Sequence, residues 1–328
     1  MEPEINDAET FKAIDATAFP HIRHAIASTP WAITADKLAQ IIELVNLRSS
    51  GVRFSAEEIQ ARIGAASKPM GRVSGSIAVL PVYGVIAQRL DLMTAMSGGT
   101  STERLTKEFR ALVADESIGA IVLEVDSPGG AVNGVAELAE EIYAARGQKP
   151  IIAHANSLAA SAAYWIGTAA DELVVTPSGE VGSIGVFGAH VDLSGWHEQT
   201  GQKYTLISAG KFKVEGNPYE PLSDEARDAI QARINDYYDM FVSAVAKHRG
   251  VKANDVRNGF GEGRVVGAQE AVRLGMADRV ETLDATLSRL SGRKPAGRST
   301  GSRGAGTRGS ATERARLAAR LARAELEG

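Results

Sequence analysis

The stretch Ala120-Ile-Val-Leu-Glu-Val-Asp-Ser-Pro-Gly-Gly130 predicts a short apolar strand that leads into a glycine-rich turn. The first six residues are rich in β-branched side chains, which favour a strand. A helical pattern follows at residues 132–146. A strand, a tight turn and a helix in this order are typical of a β-α crossover, so the stretch predicts an α/β core.

The same alternation of strands and helices extends in both directions along the chain. Short β-branched segments predict further strands, and apolar residues at helical spacing predict the helices between them. A long helix is expected to begin at Ser223, whose side chain can cap a first turn that carries acidic residues. The predicted strands are 77–82, 151–154 and 173–175, the helices are 102–114, 161–169 and 223–248, and residues 263–278 are predicted as strand, turn, helix and strand.

Composition divides the chain into three predicted regions. Residues 1–72 are expected to form a small helical arm or module, because apolar positions repeat at helical spacing from Thr34 and a capped helix start follows at Ser55. Residues 73–290 carry the α/β pattern. Residues 291–328 are predicted to be a flexible Gly-, Ser- and Arg-rich linker followed by a short basic helix.

Bulk properties exclude several classes of protein. The 328 residues include no cysteine, which rules out disulfides, thiolate metal sites and a cysteine nucleophile. The N-terminus lacks the basic and apolar regions of a signal peptide, and no apolar run is long enough to span a bilayer, so no membrane anchor is expected.

The net charge of −4 is unevenly distributed. From Arg289 to the C-terminus there are ten Lys or Arg residues and three Asp or Glu residues, whereas the rest of the chain is acidic. A basic tail on an acidic body fits an interaction with an acidic protein surface or with DNA. A solvated tail that binds no partner explains the same composition.

Two segments carry backbone and hydroxyl groups suited to catalysis. The turn at residues 126–130 can expose N–H groups that stabilise an oxyanion, although it also reads as a plain strand-to-helix turn. Ser161 lies among alanines at the start of a predicted helix, where a cap or packing role is the simpler interpretation. Near a helix N-terminus, its hydroxyl is also a candidate nucleophile. The N–H of Ala162 could complete an oxyanion hole with Gly129 and Gly130.

A serine nucleophile here needs a base other than histidine, because no histidine lies near these segments in a triad pattern. Lys213 is a candidate if burial keeps its amine neutral. Lys211 shares the same side of an extended strand, so spacing alone does not choose between them. Ser183 could orient a neutral lysine, or could be an ordinary turn serine.

The remaining histidines lack the spacing of metal ligands. His154 is expected in the core or at the edge of a loop, and neither His190 nor His197 belongs to a cluster with Asp or Glu. The carboxylates form no obvious catalytic pair. Neither a metal nor a cofactor is expected.

These segments, in this order, resemble the S49 family of serine peptidases, the signal peptide peptidase A group. Residues 126–130 match its oxyanion turn, residues 160–164 its nucleophile segment, and residues 176–186 the loop that supports the base. Residues 208–213 match the segment of the catalytic lysine, with Lys213 at the base position. The resemblance covers residues 76–288 and implies a crotonase-like or Clp-like fold of stacked ββα units.

Residues 213–219 and the absence of a signal peptide look closest to the phage head-maturation branch, the minor capsid protein C type. This resemblance implies a ring-like homo-oligomer, with active sites completed between or near subunits. Scaffold, portal or other capsid proteins would be cleaved in the bacterial cytoplasm or in the procapsid. A cytosolic S49 peptidase outside phage assembly and a structural capsid protein with a vestigial site are the alternatives.

Overall fold

Parallel strands connected by helices form the centre of the molecule in a computed structural model. The model describes Ile26 and residues 29–49, 71–74, 76–89 and 99–292. Within those ranges, ten strands join in one sheet, whose main order is β10-β7-β6-β5-β3-β2. The strands are β1 Trp31–Ile33, β2 Arg72–Ser74, β3 Ile77–Ala87, β4 Thr100–Ser101, β5 Ala120–Ala131, β6 Ile151–Ala160, β7 Glu172–Val175, β8 Glu180–Gly182, β9 Val265–Gly267 and β10 Arg279–Val280.

Helices lie between most of these strands. Neighbours from β3 through β5, β6 and β7 to β10 run parallel, whereas β1 pairs antiparallel with β5 and β9 antiparallel with β8. The predicted α/β class is therefore confirmed. The helices are α1 Ala35–Ser49, α2 Thr102–Ala114, α3 Val135–Ala144, α4 Ala162–Thr168, α5 Ser194–Gln199, α6 Asp224–Arg249, α7 Ala253–Gly259, α8 Ala268–Arg273 and α9 Leu283–Leu290, with a 3-10 turn at Gly261–Gly263.

The helix positions that were predicted from local sequence patterns agree with the structure. The helix predicted at 102–114 is confirmed at both ends. The long helix α6 is confirmed as well: Ser223 Oγ accepts a hydrogen bond from the Ala226 N–H, and Gly250 ends the helix in the left-handed region. The helical pattern from Thr34 is confirmed by α1. The expectations for Ser55 and for residues 293–328 lie outside the described residues, and the division into three regions stays a prediction.

The glycine-rich turn predicted at residues 126–130 is wrong in its local structure. Strand β5 continues through both glycines to Ala131, and helix α3 begins only at Val135. Two other backbones approach this end of β5 closely. A Cβ on Gly129 would overlap Ala32 O of β1, and one on Gly130 would overlap Ile86 of β3. Glycine is needed here so that β5 can lie between two strands, rather than to reverse the chain.

The largest core cluster packs helices against one face of the sheet. Trp165 of α4 stacks on Phe241 of α6 with ring centroids 4.6 Å apart. Leucines of α9 cover a second apolar cluster on strands β3, β5, β6 and β7. A third cluster joins α1 to β1 and β3 through Leu38, Ile33 and Val85. No helix within the described ranges is long and apolar enough to cross a membrane.

A buried histidine ties the end of α6 to the core. His248 Nδ1 lies 3.0 Å from Thr168 Oγ1, and its ring stacks on Tyr143 at 4.9 Å. Burial, together with the nearby cations of Arg146 and Lys247, lowers the pKa of His248 from 6.5 to about 4. The folded protein therefore holds this side chain neutral where an unfolded chain would protonate it.

Acidification should destabilise the fold through His248. Between pH 6.5 and pH 4 the unfolded state binds a proton that the native state excludes, so the free energy of unfolding falls as the pH falls through this window. His248→Phe keeps a ring against Tyr143 and cannot titrate. Urea unfolding at about pH 7 and about pH 5 should show a smaller loss of stability in this variant than in the wild type. Equal losses would contradict this prediction.

Candidate active site

Ser161 stands alone between strand β6 and helix α4. Its backbone has φ 56° and ψ −119°, a region that non-glycine residues seldom occupy and that costs about 1–3 kcal/mol. Ala160 and Ala162 on either side are fully buried. A strained turn between a strand and a helix is how hydrolases expose a nucleophilic serine. The small neighbours fit this tight geometry, and the helix-cap interpretation fails because the Ser161 side chain accepts no capping hydrogen bond.

The hydroxyl of Ser161 is buried without a partner. The residue is 1% exposed, and its Oγ makes no hydrogen bond to any described residue. A buried hydroxyl with no partner is destabilising, since it loses water and gains nothing in return. Strain and an unpaired polar atom at one residue make Ser161 a candidate for a chemical role, because neither feature stabilises the fold.

Gly129 lies directly beside Ser161. A Cβ on Gly129 would be 3.0 Å from Ser161 Cβ, so only glycine lets these two backbones approach so closely. Ser127 holds this peptide, accepting a hydrogen bond from the Gly129 N–H at 3.2 Å and donating one to Gly84 O at 2.6 Å. Because the Gly129 N–H is used in this way, Gly130 and Ala162 are the better donors for an oxyanion.

Ser183 is brought close to Ser161 by strand pairing. Strand β8 runs parallel to β6 with Ala160 opposite Gly182, and the Ser161 N–H donates to Gly182 O at 2.7 Å. Ser183 follows with φ 54°, and its N–H donates to Arg264 O at 2.8 Å. The two predicted serines therefore follow the ends of adjacent strands, and both have positive φ.

Lys213 is not joined to this cluster by a hydrogen bond. It lies in an exposed segment at residues 201–222 that contains no regular helix or strand. Within the described part of the chain, its Nζ takes part in no hydrogen bond or ion pair. The segment also exposes large apolar side chains, among them Ile207 at 95% exposure and Phe212.

Lys211 has a partner. Its Nζ lies 2.7 Å from Glu225 Oε1 and 4.3 Å from the centre of the Phe212 ring. A carboxylate favours the charged ammonium, whereas a general base must be neutral when it accepts a proton. Lys213, without a carboxylate partner, is the better candidate of the two.

Helix α4, which follows Ser161, is fixed by buried polar contacts. Tyr164 is fully buried and donates its hydroxyl to Met276 O at 2.9 Å, and burial raises its pKa. His154 is also fully buried, as expected for a core histidine, and burial lowers its pKa. No group of three or more His, Asp and Glu side chains among the described residues could hold a metal ion.

Sequence reasoning missed one element of this site. Strand β1 lies over the glycines of β5, with Ala32 opposite Gly130, and it bonds on its other side to Phe187. The only local signal was a short apolar run, Pro30-Trp-Ala-Ile33, immediately before a helix. Such a run does not show which strand it will join.

The protein family described as Peptidase family S49 matches residues 144–295. The matched range includes Ser161, Ser183 and Lys213, and begins after Gly129 and Gly130.

Curated relatives include two phage proteins. Capsid assembly protease C of Escherichia phage lambda is 33% identical over 261 residues, covering 74% of this chain and 59% of that protein. Head-tail preconnector protein GP5 of Enterobacteria phage P21 is 37% identical over 209 residues, covering 64% of this chain and 41% of that protein. Protease 4 of Salmonella typhi is 29% identical over 216 residues, or 66% of this chain and 34% of that protein. The chain thus spans about half the length of the phage relatives it matches.

Proposed function

The chain contains a peptidase family S49 domain over residues 144–295, and we propose that it is a serine endopeptidase with a Ser-Lys dyad. Ser161 is the nucleophile and Lys213 the base. The observation that carries this proposal is Ser161 itself, whose strained backbone holds an unpaired, buried hydroxyl beside Gly129. No helix cap or packing residue needs that combination.

In the proposed reaction, Ser161 Oγ attacks the scissile carbonyl while the neutral Lys213 amine takes the hydroxyl proton. The N–H groups of Gly130 and Ala162, with Gly129 behind them, stabilise the oxyanion. Lys213 then gives the proton to the leaving amine, and water hydrolyses the acyl-enzyme by the same route. Ser183, next to Ser161 in the strand register, accepts a hydrogen bond from the lysine and holds it in place.

The dyad requires the lysine segment to close over Ser161. Leu206, Ile207 and Phe212 of that segment are exposed. Such a concentration of apolar surface is typical of a face that another protein covers. We expect a second copy in a ring-like homo-oligomer to cover it, to bury Lys213 and to exclude water, which keeps the amine neutral.

The proposed substrates are scaffold, portal or other capsid proteins. The two phage relatives are named for capsid assembly and for the head-tail preconnector, and this supports the assignment. The place of action would be the procapsid in the host cytoplasm. The basic C-terminal residues would contact an acidic protein surface or DNA.

A housekeeping peptidase is the second candidate. Similarity to Protease 4 of Salmonella typhi favours it, because that relative is not named for a phage structure.

A structural capsid protein with a vestigial site is the third candidate. The backbone strain and the unpaired hydroxyl at Ser161 count against this candidate. A position with no catalytic role would be free to accept a residue that avoids both costs.

The proposed function is tested by mass spectrometry of procapsids assembled with the wild-type chain or with Ser161→Ala. New protein termini within capsid, scaffold or portal proteins should appear only with the wild type. Identical sets of termini in the two preparations would refute the assignment to head maturation. Cleavage of casein by the purified chain would then still identify a peptidase with another substrate.

A further inference from the structure

Strand β1 crosses the end of β5 where the candidate oxyanion donors lie. It pairs antiparallel with the two glycines and the next residue, with Trp31 opposite Ala131, Ala32 opposite Gly130 and Ile33 opposite Gly129. Strand β1 is therefore distant from β5 in the sequence, yet it pairs with the end of β5 that carries the candidate oxyanion donors. An extended peptide bound for cleavage would have to use the same backbone groups.

The other edge of β1 is paired as well. The Trp31 N–H donates to Phe187 O at 2.8 Å, and the Phe187 N–H donates to Trp31 O at 3.0 Å. Residues 30–34 therefore lie in a groove between β5 and Phe187 and form backbone hydrogen bonds to both walls. A groove with strand edges on both sides recognises a peptide by its main chain.

The register shows which carbonyl faces the donors. Thr34 N–H bonds to Pro128 O at 3.0 Å, and Val132 N–H bonds to Pro30 O at 3.1 Å. Bonded and non-bonded pairs alternate along an antiparallel ladder, so the pair between them, Ala32 and Gly130, is a bonded one. The Ala32 carbonyl therefore accepts the N–H of Gly130.

The same carbonyl lies next to the nucleophile. Ala32 O and Ser161 Cβ are both within 3.0 Å of the point where a Cβ on Gly129 would stand. Ser161 itself is only 1% exposed. Strand β1 therefore places a peptide carbonyl near Ser161 and on a candidate oxyanion donor.

We infer that residues 30–34 occupy the substrate-strand site of the proposed peptidase and present the Ala32–Ile33 bond to Ser161 as an external substrate would. The groove accordingly takes an extended peptide with a small residue before the scissile bond, because Ala32 is completely buried there. No external strand can bind until β1 leaves. The assignment of a scissile bond rests on the proposed function. The occupancy of the groove by residues 30–34 does not, and it can be tested by peptide binding alone.

A disulfide can lock β1 in place, since the chain has no cysteine of its own. Trp31 and Ala131 form a non-hydrogen-bonded antiparallel pair, whose Cα atoms stand about 4.5 Å apart, within the range that a disulfide spans. The test uses the full chain with Trp31→Cys and Ala131→Cys in a Ser161→Ala background, so that a bound peptide stays intact. The probe is a fluorescent peptide with the sequence of residues 28–37.

Fluorescence anisotropy should show that the reduced protein binds the peptide and that oxidation weakens binding at least about tenfold, because only a released β1 opens the groove. Reduction should restore binding, and neither single-cysteine variant should respond to the oxidant. Equal binding by the oxidised and reduced forms would overturn the inference. Binding by neither form, or failure of the disulfide to form in folded protein, would overturn it too.

The register is tested with two altered peptides. A peptide carrying Ala32→Trp should lose binding to the reduced protein, whereas one carrying Ala35→Trp should keep it, because Ala35 lies beyond the groove. Equal binding of the two would refute the assigned register. All these measurements are made without catalysis, so they can fail while casein hydrolysis by the wild type upholds the proposed function, and the reverse can also occur.

Discussion

Replacing Ser161 with alanine should lower peptide-bond hydrolysis by at least about a thousandfold, because no other hydroxyl can form the acyl-enzyme. The substitution removes one buried atom that has no hydrogen-bond partner. The fold should therefore keep its melting temperature or gain a little, since the destabilising atom is gone. Casein hydrolysis and thermal unfolding, measured on the same preparation, separate loss of chemistry from loss of structure.

The matched control is Ser243→Ala, which removes an exposed serine hydroxyl from helix α6. Its hydrolysis should stay within about twofold of the wild type. If Ser161→Ala kept more than a tenth of the wild-type rate, Ser161 would not be the nucleophile. If its oligomer size changed, the lost activity would have a structural origin.

Lys213→Met should lower hydrolysis by a similarly large factor, whereas Lys211→Met should leave most of it. Methionine keeps the length and apolar stem of lysine and removes the amine that is proposed to accept the Ser161 proton. Lys211 makes an exposed ion pair with Glu225, and such pairs contribute about 0–1 kcal/mol. The two variants therefore each lose one lysine amine, two positions apart in the chain, and should differ mainly in catalysis.

The pH dependence gives an independent readout of the base. A lysine acts as base only when neutral, so the rate should rise with increasing pH. The remaining activity of Lys213→Met should lack this rise. A flat profile in the wild type, or a normal rate in Lys213→Met, would show that another group takes the proton.

Much of the secondary structure followed from local patterns. The capped start of α6 at Ser223 and the whole of α2 agree with the sequence, because side-chain capping and helical periodicity act within a few residues. The strands were predicted too short. β6 runs on from His154 to Ala160 through small and polar residues that carry no β-branched signal, yet it is held there by pairing with β8.

Local sequence patterns predicted that Ser161 lies at the start of a helix, after a strand and a short loop, and that a Gly-Gly pair follows the strand before that one. Tertiary structure alone decided what those glycines do. They let β5 lie between β1 and β3, and they set Ala32 against Ser161. Residues 31–33 pair with residues 129–131, which are far away in the chain. Because this pairing uses backbone hydrogen bonds and not particular side chains, no local sequence pattern predicts it. The Ser161 hydroxyl could be named as a candidate from the sequence, whereas the position of strand β1 near it is seen only in the tertiary structure.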